Sequence, residues 1–151
     1  MSLIEERILS VKELESVAAL IKSIERNTSG EIRVNIQQRR SLREKNLTIR
    51  ELAVRSFVAL GMDRTKERTG VLIFILIADH EFEIIGDSGI NEKVPVDFWE
   101  SIAAKMSAQF RQQKFFDGIA QAIRETGAVL QKEFPVDPRD ANELPDDVVM
   151  T

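Results

Sequence analysis

Residues 70–78 read Gly-Val-Leu-Ile-Phe-Ile-Leu-Ile-Ala, a run with no polar side chain and no alternation. It is rich in β-branched residues, Gly70 opens it and Asp79-His80 close it. That pattern predicts a strand buried on both faces rather than one with a wet side. Glu81-Phe82-Glu83-Ile84-Ile85 follows and alternates at first, before a break at Gly86-Asp87-Ser88-Gly89. Too few residues join the two strands for a crossover, so they form an antiparallel hairpin turning at Asp79-His80.

The flanks supply the helices that such a strand needs. Ser10 and Glu13 have capping-box spacing, and Val11, Leu14, Val17, Ala18, Ile21 and Ile24 recur behind them at helical period. Asn27-Thr28-Ser29-Gly30 ends that helix. Ile32, Val34 and Ile36 then alternate with Glu31, Arg33, Asn35 and Gln37, predicting a strand covered on one face only. The charged stretch 38–46 lacks an apolar period and reads as a mobile loop, with a helix starting inside it as the alternative. Thr48 and Glu51 form a second capping box ahead of Leu52, Ala53, Phe57 and Leu60, and Gly61 stops that helix. Strand, helix, strand is a crossover unit, so the strands at 31 and 71 should be parallel and right-handed.

Beyond the hairpin, Asp97 is placed to cap a helix carrying Phe98, Ile102, Met106 and Phe110. Asp117 is placed to cap another carrying Ile119, Ile123, Ala128 and Leu130, which ends at Phe134-Pro135. The expected architecture is an α/β fold, a three-layer α/β/α sandwich with a small mixed sheet and helices on both faces. A fourth strand is not legible. The domain runs over residues 1–135, and residues 136–151 read as an acidic, Pro-containing tail that lies on the surface or is disordered, with Leu144 available to pin it.

Composition narrows the function. With 151 residues the chain can bury a core without staples, and a net charge of −4 gives a nucleic-acid partner no electrostatic support. No cysteine is present, so disulfides and thiolate metal sites are excluded. The N-terminus shows no basic-then-apolar signal pattern, and the longest apolar run is far too short to span a bilayer as a helix. The chain therefore reads as cytoplasmic, without direct membrane insertion.

Topology places the polar residues. The segments leading into the two parallel strands, and the one leaving the third strand, share one end of the sheet. That end gathers Glu31, Asp63, Glu67, Asp87 and Asp97, with Thr28, Ser29, Thr69 and Ser88 among them. Carboxylates beside glycines suit a hard cation such as Ca²⁺ or Mg²⁺, which takes oxygen ligands; solvated strand ends and helix caps give the same pattern without one. The opposite end holds Asp79, His80, Glu81 and Arg39-Arg40.

Thr-Ser-Gly-Glu-Ile at 28–32, Arg-Thr-Gly-Val-Leu-Ile at 68–73, Asp79-His80 and Gly-Asp-Ser-Gly-Ile at 86–90 resemble the TPM domain family. So do Phe98-Trp99, the helix over 118–127 and Asn142-Glu143-Leu144-Pro145-Asp146. That family takes in the thylakoid phosphatase-like and photosystem II repair proteins. The resemblance runs from about Val17 to Asp147. It implies an α/β/α sandwich, divalent-metal binding in some members and acid-phosphatase activity assigned to some. Glu31, Asp87 and Asp97 fall where the family tends to keep polar or acidic residues around its cleft, which makes them the implied metal ligands. Many members carry a signal peptide and a membrane anchor; this chain resembles the stand-alone branch, for which a membrane-anchored relative is a natural protein partner.

Two readings follow. One is a non-catalytic or regulatory module binding Ca²⁺ or Mg²⁺ and a protein partner. The alternative is a weak metal-dependent acid phosphatase, with Arg68, Thr69 and Ser88 as phosphate contacts and Asp87 holding the metal with Glu31 or Asp97. No Walker loop, Ser/His/Asp order or metal-binding His pair is present, which favours the first. His80, the single histidine, lies in a turn at the other end and reads as exposed. Trp99 reads as core or rim, and the basic residues at 39–45 as a solvated loop.

Overall fold

The structure, a computed structural model, describes residues 7–136 and 148–151. Its centre is a four-stranded sheet in the order β3-β2-β1-β4. β1 (Glu31–Gln37) and β2 (Gly70–Leu76) are parallel, with Glu31 opposite Gly70 and Gln37 opposite Leu76. β3 (Glu81–Gly86) returns antiparallel along β2, Val71 opposite Gly86. All seven residues of β2 are buried, as the unbroken apolar run requires. Each large side chain buried there contributes roughly 1.5–3 kcal/mol relative to exposure.

The two faces carry different cores. On one, Ile32, Val34, Ile36, Val71, Ile73 and Ile75 meet three helices, α1 (Val11–Glu25), α4 (Phe98–Arg111) and α5 (Phe115–Glu133). On the other, Leu72, Phe74 and Leu76 meet Leu52, Ala53 and Phe57 of α2 (Ile49–Ala59), with Met62 from the short 3₁₀ turn after it. The arrangement is the expected α/β/α sandwich.

Both capping boxes form. The Glu13 amide donates to Ser10 Oγ (3.1 Å) and the Ser10 amide to Glu13 Oε1 (2.9 Å); Thr48 and Glu51 repeat the exchange at 3.1 and 3.2 Å. At the later helices the caps differ from the sequence reading. Asp97 occupies the position before α4, but its side chain makes no capping bond. Asp117 lies inside the first turn of α5, which starts two residues earlier at Phe115. α5 packs on α1 so closely that a Cβ at Gly127 would stand 2.7 Å from Ile24 Cδ1. A bare backbone is what lets the two helices approach.

Three further differences matter for the site. β1 is covered on both faces, not one: Arg33 and Asn35 are buried on the α2 side. Asn35 Nδ2 donates to Ser56 Oγ of α2 (2.6 Å), and Thr151 Oγ1 donates to Asn35 Oδ1 (2.9 Å). A polar alternating face looks the same in sequence whether water or hydrogen-bonded protein covers it. The fourth strand is β4 (Val148–Met150), drawn from the stretch whose composition reads as tail; it runs parallel to β1 with Val34 opposite Val148. Leu144 lies outside the described residues. Finally, the charged loop after β1 is tied down. Ser41 and Glu44 cap a single 3₁₀ turn (Leu42–Glu44), and Arg40 bonds the Leu47 carbonyl (3.0 Å), Asp79 and Glu81.

Candidate functional site

The acidic end is built from three approaches to the sheet. α1 delivers Glu25, only 1% exposed, whose Oε2 accepts from the Ile32 amide at 2.8 Å. Glu31 opens β1 and is also 1% exposed. Thr28 fixes the link between them. Its buried hydroxyl accepts from the Gly30 amide (3.0 Å) and reaches the Phe134 and Leu130 carbonyls (2.5 and 2.9 Å) at the end of α5.

The approach to β2 is a tight knot around Arg68, which sits in the left-handed region (φ 57°). The Arg68 carbonyl accepts from the Gly89 and Ile90 amides (2.8 and 3.3 Å), and its Nη1 donates to the Asp63 carbonyl (3.1 Å). Gly89 is pressed onto the same knot: a Cβ there would lie 1.9 Å from the Glu67 carbonyl oxygen. The Thr69 amide donates to Thr65 Oγ1 (3.0 Å).

The exit from β3 completes the end. The Asp87 amide donates to the Gly70 carbonyl (3.0 Å), and Asp87 Oδ1 caps the one-turn helix α3 (Ser88–Asn91) through the Ser88 amide (2.7 Å). Glu31, Gly70 and Asp87 therefore stand in a row across three strands. At about 4.8 Å per strand, the Glu31 and Asp87 backbones are about 10 Å apart. Asp87 Oδ2 and Asp63 Oδ1 are both shielded from solvent, and neither finds a hydrogen-bond donor among the described residues. An unsatisfied shielded carboxylate oxygen costs roughly 1–3 kcal/mol or more, so these two atoms mark where a cation would relieve the most.

The candidates thus separate. Glu31 and Asp87 share the row, and Asp63 borders it through the 3₁₀ turn over β2. Asp97 is exposed at the start of α4, on the opposite layer from that turn. Arg68 and Ser88 are exposed, whereas Thr69 is 1% exposed and closed to a substrate. Among the described residues no group of three or more acidic or histidine side chains is arranged to hold a metal ion. Asp87 and Asp63 are the residues at this end whose shielded oxygens could serve a cation, with water or backbone carbonyls completing a set such as Mg²⁺ commonly accepts.

Sequence reasoning passed over Glu25 and Arg33. Glu25 follows Val17 and Ile21 by successive steps of four, so it stays on the apolar stripe of α1; that spacing was the available signal. Arg33 has none: it alternates with the apolar set as a water-facing residue would, and only the folded surroundings bury it. His80, exposed with φ 53°, and Trp99, half-buried with Nε1 donating to Asn91 Oδ1 (2.7 Å), take the places expected of them. Two cavities lie elsewhere. One of about 430 Å³ and one of about 210 Å³ adjoin at Ile8 and Ile77, at the opposite end of the sheet.

A three-layer sandwich with a parallel crossover pair, an antiparallel third strand and polar groups gathered at one sheet end defines a small α/β domain. The TPM domain family matches residues 4–129, and this chain belongs to it. It is similar over the full length of both chains to the BA42 protein of the psychrophilic bacterium Bizionia argentinensis, solved by NMR, at 37% identity and a TM-score of 0.84. It also shares its fold with the N-terminal domain of a P. gingivalis protein, at 16% identity and a TM-score of 0.67, over 84% of this chain and 79% of that one. No curated protein matches it. Among the described residues no helix is long and apolar enough to cross a membrane.

Proposed function

We propose that this TPM-domain chain is a cytoplasmic binding module that takes up Ca²⁺ or Mg²⁺ at the Glu31–Gly70–Asp87 row and presents the loaded end to a protein partner, a membrane-anchored relative being the natural one. The observation that carries this reading is Asp87 Oδ2, shielded and without a donor among the described residues while its sister oxygen is held by the Ser88 amide. Asp63 supplies the second oxygen and Glu31 strengthens the local negative potential. Asp97 contributes from α4 only as an outer group. The cation draws together the 63–70 and 87–91 segments, which gives a partner a surface that changes with loading.

A cation that binds only the folded state raises its stability by mass action. Millimolar Ca²⁺ or Mg²⁺ should raise the melting temperature, and amide shifts should centre on residues 31, 63 and 87. Asp87→Asn should abolish both effects, Asp97→Asn should weaken them less, and Asp79→Asn at the other end should leave them intact. No response to either ion in the wild type rejects the reading.

The exposed Arg68 and Ser88 beside the row support a second reading, a weak metal-dependent acid phosphatase, in which the guanidinium holds phosphoryl oxygens near the cation. It requires p-nitrophenyl phosphate hydrolysis that EDTA stops and Arg68→Ala lowers. A cation response without hydrolysis leaves the binding module alone.

A further inference from the structure

We infer that the larger cavity, at the end of the sheet away from the acidic row, is a binding site for a small amphipathic carboxylate, an apolar body ending in one acidic group. Its floor is Ile75 and Phe82 of the hairpin, and its wall is Phe110 and Phe115 at the α4–α5 junction. The three rings form a chain of edge contacts, Phe82 to Phe110 at 5.4 Å and 71°, Phe110 to Phe115 at 5.3 Å and 61°. At about 430 Å³ the space is within the range of small-molecule sites, and aromatic walls with a few polar groups at the mouth are their usual lining.

Charge at the mouth selects the ligand. Glu81, His80 and Arg111 are the titratable groups that line it. Glu81 is already met by Arg40, whose Nη1 and Nη2 lie 3.4 and 3.3 Å from Oε1. Arg111 has no ion-pair partner among the described residues. Arg40 also binds Asp79, so Arg40, Asp79 and Glu81 together stay net negative. Arg111 is the charge lining the cavity that is left without an ion pair among the described residues, and a guanidinium prefers a carboxylate that it can engage through two N–H groups. The rim is also held in uncommon backbone geometry. His80 (φ 53°) and Gln113 (φ 60°) are two of the three non-glycine residues with positive φ among those described. Such residues cluster at ligand sites, where the surrounding fold holds them in place.

The test uses the full chain and two acids, octanoate below its micellar concentration and 3-phenylpropionate, each against its neutral primary amide. Titration followed by NMR should give saturable shifts centred on residues 75, 82, 110, 111 and 115. The amides should bind about tenfold more weakly, the loss of one charge-assisted contact. Arg111→Gln, at an exposed position, should bring the acids to the level of the amides. Ser107→Leu, which fills the cavity from α4, should abolish binding of all four compounds. Asp87→Asn and EDTA should change nothing, so this site stands or falls apart from the cation. Non-saturable shifts, shifts centred elsewhere, or amides binding as tightly as acids would overturn the assignment. If Ser107→Leu does not fold, the wild-type shift map and Arg111→Gln still decide it.

Discussion

Thr28 and Thr126 offer the same chemical change with opposite expected signs. Both are 1% exposed, and replacing either with Val removes a hydroxyl while keeping the β-branched shape. At Thr28 the hydroxyl accepts from the Gly30 amide at 3.0 Å and serves the carbonyls of Phe134 and Leu130 at the C-terminus of α5. Phe134 keeps a bond from the Ser29 amide (3.0 Å), so the main casualty is the buried Gly30 N–H. Leaving one buried donor unsatisfied costs roughly 1–3 kcal/mol. For a domain of this size that lowers the melting temperature by roughly 2–4 °C per kcal/mol.

Thr126, on the buried face of α5, has a hydroxyl with no partner among the described residues. Val there removes a polar group already buried at a cost, and Thr and Val have similar helix propensity. Thr126→Val should therefore stabilise by about 1 kcal/mol. Thermal and urea unfolding of the two variants beside the wild type give the comparison directly, with unchanged m-values as the check that unfolding stays two-state. If Thr126→Val destabilises as much as Thr28→Val, the hydroxyl at 126 is satisfied in solution and the assignment of its surroundings is wrong. If Thr28→Val is neutral, the hinge between α1, β1 and α5 does not depend on that side chain.

Two other outcomes follow from the same reasoning. Gly89→Ala should cost about 2–3 kcal/mol, because its Cβ would stand 1.9 Å from a backbone oxygen that no side-chain rotation clears; calorimetry showing an unchanged melting temperature would mean the 67–70 knot is loose, and the cation response should fall with stability. Glu44 is held below the ordinary carboxylate range, first by the Ser41 amide that donates to its Oε1 (2.8 Å) and then by Gln37, against a partial opposing effect of burial. A depressed folded-state value means its contribution is present above the unfolded carboxylate range and lost as pH falls through the folded value. Glu44→Gln should therefore lower stability slightly at about pH 7 and not at all at about pH 3. A difference that grows toward acid would reverse the assigned sign.

Local chemistry in the chain was enough to determine the capping boxes at Ser10 and Thr48, the doubly buried β2, the hairpin at Asp79-His80 and the parallel crossover. Each depends on residues a few positions apart or on a connection too short for alternatives. The end of the sheet where Glu31 and Asp87 meet followed from strand direction alone. The tertiary structure decided the rest, because there the relevant neighbours are distant in the chain. β4 is three residues long and carries no period of its own; it becomes a strand because β1 offers an unpaired edge. Arg33 and Asn35 alternate as a water-facing set would, and only the tertiary structure makes that face interior, with Ser56 of α2 and Thr151 both bonded to Asn35. Asp97 and Asp87 both precede helices that pack on the same core, yet Asp97 is exposed while Asp87 follows β3 directly, holds the Ser88 amide and has a shielded oxygen, a difference that helix-cap spacing does not carry. The cavity is farthest from any sequence signal. Phe82, Phe110 and Phe115 lie on three elements, and the space between them exists only after the hairpin, α4 and α5 have packed.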